Sequence, residues 1–165
     1  YNEWMLALRY VAVLALVFWI GGLVALGAFA APAAFDVLGP RGADGRALAG
    51  AVFGETLRRF HLAAYACAAI IVMSLLVRGV LGPRPRRFAI RLAVTAIMAG
   101  AGAWSGLVLT PRIHEAQETL GTSPSTLPEG DPRRVEFGRL HGISTSLQLV
   151  PLLGGLALLF FELRD

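Results

Sequence analysis

The sequence predicts an all-α integral membrane protein, a bundle of four transmembrane helices with both termini cytoplasmic. Three observations carry that prediction. Hydrophobic residues make up 56% of the chain and charged residues only 16%, whereas a soluble domain carries about a quarter charged. The charges gather between long apolar runs instead of spreading along the chain. Four of those runs can cross a hydrocarbon layer of about 30 Å, which takes roughly twenty helical residues. One domain, 1–165, accounts for the length.

The first span is expected over about 9–35. Its apolar stretch, Val11 to Ala34, exceeds the roughly 7–15 residues of a signal-peptide core, so it reads as a true transmembrane helix. The second is expected over about 60–80, the third over about 88–111 and the fourth over about 140–161, with an outer loop over 112–139. In lipid every backbone group must find a partner within its own segment, so these spans are helices. The short alternating segments of a β-barrel do not occur. Ala/Gly pairs four residues apart predict close helix contacts: Gly21 and Ala25, Ala64 and Ala68, Ala96 and Gly100, Gly102 and Gly106. Pro151 with Gly154 and Gly155 predicts a bend in the fourth helix.

Orientation follows from loop charge. The second loop has Arg78, Arg84, Arg86, Arg87 and Arg91 around it and no acidic residue. The first and third loops mix both signs. The positive-inside rule therefore places the second loop and both termini in the cytoplasm, with Trp4, Tyr10 and Phe88 at the inner interface and Phe35 and Phe60 at the outer one. All fifteen basic residues are arginine. They sit at the ends of apolar segments and not on a polar stripe, so a nucleic-acid partner is not expected. The single cysteine, Cys67, lies in an apolar run; it excludes an intrachain disulfide and a thiolate zinc site and reads as a small interior side chain.

The polar residues that could carry chemistry converge on the outer side. The first helix ends near Pro32 and Asp36, the second opens on Arg58-Arg59-Phe60-His61, the third ends on Pro111-Arg112-Ile113-His114, and the fourth opens on Arg139-Leu140-His141 with Ser144 following. Imidazoles ligate zinc, copper and iron, and helical bundles hold cofactors between facing helices. His61 and His141, with His114 as a third ligand, could therefore hold haem or a transition metal. The competing reading pairs these interfacial groups with one another and with helix-end carbonyls. Asp36 and Arg112 could form an ion pair across the bundle, or an anion or headgroup site. Ser144 and Gln148 read as helix-to-helix hydrogen-bonding groups. No Asp, Glu, Lys or His is expected at mid-depth, which argues against a proton-coupled pump. No phosphate loop, nucleophile elbow or metalloprotease motif is present, so an enzyme is not expected.

Trp19-Ile20-Gly21-Gly22, Ala31-Pro32-Ala33-Ala34-Phe35, His61, Pro111-Arg112-Ile113 and Phe137-Gly138-Arg139-Leu140-His141 with Ser144 together resemble a family of uncharacterised four-helix membrane proteins. The animal relative of that family is a transmembrane protein associated with cisplatin resistance. More distantly the pattern is similar to the copper-resistance D membrane proteins. The resemblance covers nearly the whole chain and implies the four-helix topology. The expectation that follows is a non-enzymatic, multi-pass protein of a bacterial inner membrane, an accessory or structural subunit whose partners are the lipid bilayer and other membrane subunits. The alternatives are a haem- or metal-binding protein and a small-molecule or ion transporter.

Overall fold

In the computed structural model, which describes residues 3–82, 84–120 and 124–164, four helical spans form the molecule. They are α1, Glu3–Arg41, α2, Ala43–Leu81, α3, Phe88–Leu120, and α4, Pro132–Leu163, each long and apolar enough to cross a membrane. The fold is all-α, and no strand occurs among the described residues. Each helix packs against its chain neighbours and α4 closes back on α1. Consecutive helices run antiparallel, so α1 and α3 lie on one diagonal of a square and α2 and α4 on the other. The α1–α2 and α3–α4 turns share one end, here the long-loop end. The start of α1, the end of α4 and the connection between α2 and α3 share the other, the short-loop end.

The core between the helices is built from Leu16 and Trp19 of α1, Ala64, Cys67, Ile71 and Leu75 of α2, Met98 of α3 and Leu158 of α4. Lipid tails are as apolar as these side chains, so dispersion and polar cross-links hold the helices together more than water exclusion does. Gly154 and Gly155 show the dispersion contribution. A Cβ at Gly154 would lie 2.7 Å from Met98 Cγ, and one at Gly155 2.7 Å from Ile20 Cγ1. Their lack of a side chain is what lets α4 approach α3 and α1 so closely. Pro151, expected to bend α4, is buried within it. Ser74 supplies a cross-link, its Oγ donating to the Leu8 carbonyl at 2.9 Å.

The helices outrun the expected spans. The segment 36–59, expected as mostly loop, is helical except at Gly42, whose φ of +86° reverses the chain between α1 and α2. The outer loop expected over 112–139 shrinks from both sides. Helix α3 continues to Leu120, and α4 starts at Pro132 with Asp131 as its N-cap, its carboxylate accepting from the Arg133 amide at 2.9 Å. The reason is physical. Hydropathy marks where a helix crosses lipid and not where it ends. Polar flanks continue a helix when i,i+4 partners exist, and Glu55 holds Arg58 and Arg59 at 2.7 Å. At 1.5 Å per residue, the 39 residues of α2 extend about 58 Å, well past a bilayer core.

Candidate functional site

Inside the bundle, toward the long-loop end, α2, α3 and α4 bring five polar side chains together. His61 is 4% exposed, and Ser105 and Ser144 are buried. Gln148 Nε2 lies 3.2 Å from His61 Nε2 and donates to Ser105 Oγ at 3.2 Å. The two serine hydroxyls are 3.4 Å apart. Tyr65, stacked beside His61 with ring centroids 6.3 Å apart, donates to the Gly102 carbonyl at 3.3 Å. The other ring nitrogen of His61, Nδ1, is buried with no hydrogen-bond partner among the described residues.

Two backbone features aim these groups inward. Residues Ser105–Leu109 form a π-helical turn, whose extra residue rotates the helix and turns both Ser105 and Leu109 into the core. Such turns often mark functional positions. The Ser105 carbonyl accepts from Thr110 Oγ1 at 3.0 Å. Gly106 supplies the second feature. A Cβ there would collide with the Tyr65 hydroxyl and lie 3.2 Å from His61 Nδ1, so only glycine lets the two rings sit against α3.

The structure scatters the other residues expected at this end. His114 is exposed and pairs with Glu118 at 3.2 Å along its own helix. His141 is exposed and stacks on Phe137, one turn earlier. The three histidines therefore do not converge. Among the described residues no group of three or more His, Cys, Asp or Glu is placed to hold a metal ion. The expected Asp36–Arg112 pair does not form. Asp36 is exposed on α1 and Arg112 is exposed on α3, across the diagonal of the square. The Arg112 charge acts on Glu136 of α4 instead. Of the polar residues expected here, His61, Ser144 and Gln148 meet.

A second polar cluster lies at the short-loop end, where no buried acid was expected. Glu162 of α4 is buried and receives one arginine from every other helix. Arg9 of α1 stands 3.1 Å from its carboxylate and Arg78 of α2 donates at 3.0 Å, while Arg91 of α3 forms a short ion pair. Arg91 also donates to the Phe161 carbonyl at 2.8 Å. One carboxylate thus ties all four helices together. The expected span ended at residue 161, one short of this carboxylate. The signal available in the sequence was Glu162 at the close of an apolar run, one of three acids at an end with seven arginines. Between the two clusters lies an apolar layer of Leu16, Trp19, Ile71, Met98 and Leu158.

On the outside of α4, Gly138, Gly142 and Ser146 line a shallow groove with Arg139, Ile143, Leu147 and Val150. A Cβ at Gly138 or Gly142 would meet nothing within 4 Å, so neither glycine is needed for packing inside this chain. No curated protein and no solved structure matches the sequence. A family model described as a domain of unknown function, DUF4149, matches residues 14–121, which take in most of α1 and all of α2 and α3 and leave α4 outside.

Proposed function

The chain belongs to the DUF4149 family, and we propose that it is a non-enzymatic accessory subunit of a larger complex in a bacterial inner membrane. Its arginine-rich short-loop end faces the cytoplasm, and it docks on another membrane protein through α4. The observation that carries this reading is the groove at Gly138, Gly142 and Ser146. Small residues four apart are the positions where transmembrane helices approach most closely. Some glycines of the bundle, such as Gly106, Gly154 and Gly155, serve contacts within the chain. Gly138 and Gly142 serve none, and their groove stays open. The resemblance to the cisplatin-resistance-associated and copper-resistance D families bears on this reading through topology.

The test separates docking from folding. Because a Cβ has room at both glycines, Gly138→Leu with Gly142→Leu leaves the isolated bundle folded and fills the groove. Extracted from native membranes in mild detergent, the unaltered chain is expected to migrate with partner subunits and the double variant alone at unchanged thermal stability. A native chain that migrates alone overturns the proposal.

A further inference from the structure

We propose that the short-loop end is a binding site for the phosphate groups of anionic phospholipids, formed by Arg84, Arg87 and Arg164 in front of the Glu162 cluster. Charge counting leads to this end. Assigned by position along the chain, seven arginines and three acids, Glu3, Glu162 and Asp165, belong to it. The long-loop end has eight of each. The whole formal net charge of +4 is therefore concentrated at one end of the bundle.

Six of the seven arginines there divide into two sets; the seventh, Arg86, is exposed. Arg9, Arg78 and Arg91 are drawn inward on Glu162. Three cations share that carboxylate, and low-dielectric walls extend the field of such a cluster outward. Arg84, Arg87 and Arg164 are exposed and have no acidic partner among the described residues. Each lies on an aromatic ring: Arg84 5.5 Å from the Phe88 centroid, Arg87 5.3 Å from Phe161, Arg164 4.9 Å from Phe160. A ring under a guanidinium fixes its position and leaves its fork of N–H donors free for phosphate.

Backbone geometry points the same way. Arg87 adopts a left-handed conformation, φ +57°, the only positive φ outside glycine among the described residues. That conformation is strained for an L-residue with a Cβ. It places the Arg87 guanidinium against α4 at the start of α3, a helix that opens with no side-chain cap. The positive end of the α3 dipole thus faces the same anion. The phosphate belongs to a lipid because the three arginines stand where apolar spans end. Their platform includes Phe160, which is half exposed at the level where acyl chains give way to headgroups.

The experiment uses the full chain, purified and delipidated in neutral detergent. Its melting temperature is followed during titration with phosphatidylglycerol, phosphatidylcholine or inorganic phosphate. The expected result is a saturable rise with phosphatidylglycerol alone. Arg84→Gln, Arg87→Gln and Arg164→Gln together are expected to weaken the midpoint at least about tenfold, equivalent to about 1.4 kcal/mol. The matching triple of Arg58→Gln, Arg59→Gln and Arg139→Gln at the long-loop end is expected to leave it unchanged. Equal responses to the two lipids overturn the proposal with the unaltered protein alone, whatever the variants do. A response to inorganic phosphate matching that to phosphatidylglycerol overturns the lipid assignment. Equal losses from both triples show nonspecific charge attraction and overturn the site.

Discussion

Wedged between Gly106 and Gln148, the His61 imidazole has one nitrogen satisfied and the other orphaned in the core. An unmatched buried polar group costs about 1–3 kcal/mol, so the site persists only because its neighbours fix it. Gly106 is the first of these. Gly106→Ala is expected to drive a methyl into the Tyr65 hydroxyl and lower stability by about 1–3 kcal/mol, read as a fall in melting temperature. Gly100→Ala on the same helix, where a Cβ meets nothing within 4 Å, is the control and is expected to stabilise slightly. Gln148 is the second. Gln148→Leu removes the donor to both His61 and Ser105 and is expected to cost about 1–3 kcal/mol, with Gln148→Glu separating shape from hydrogen bonding. At this scale the sequence marks which residues are polar inside a span but not which way they point. Ser144 and Gln148 read as interhelical groups because a polar side chain in an apolar run has few other uses. His61 and His141 look equivalent, each opening a helix after an arginine. Only the register of α2 and α4 turns one inward and the other out.

At the level of whole helices, hydropathy locates the four crossings and misplaces their ends. A window average responds to side chains, whereas a helix ends where backbone partners run out. Gly42 and Asp131 are the local signals that mark true boundaries, one by its positive φ and one by its carboxylate cap. The Asp131 carboxyl titrates below its ordinary value because the Arg133 side chain and amide both donate to it. A carboxyl with a depressed folded pKa contributes stability that is present above its unfolded pKa, near 3.8, and is lost as pH falls through the lower folded value. The first turn of α4 is therefore expected to keep its amide protection at neutral pH and to fray below the usual carboxylate range. Asp131→Ala is expected to fray it at every pH. Hydrogen exchange at Arg133 and Arg134 reads both effects, and protection that ignores pH and the substitution alike would contradict the cap. The π-helical turn at Ser105–Leu109 carries no comparable signal in the sequence, because one extra residue in a turn leaves composition and periodicity nearly unchanged.

For the whole molecule, Glu162 is the point where α1, α2, α3 and α4 meet. Removing one partner of a buried ion pair typically costs about 3–5 kcal/mol, because the remaining charge is left without compensation. Glu162→Gln is expected to fall in that range and to unfold the bundle at a lower temperature. Arg58→Gln, which breaks an exposed pair with Glu55, is expected to change stability by less than about 1 kcal/mol. Similar losses from the two would deny Glu162 its central place. Family membership leaves the activity open, so function rests on what the bundle presents outward. The groove along α4 is an open face of small residues. The most direct measurement is site-specific photo-crosslinking in native membranes. A crosslinker at Gly142 or Ser146 is compared with one at Leu62 or Met73, exposed positions on α2. The account predicts one discrete heavier product from the α4 positions and none from α2. Crosslinks to lipid alone from α4, or equal protein products from both helices, would contradict it.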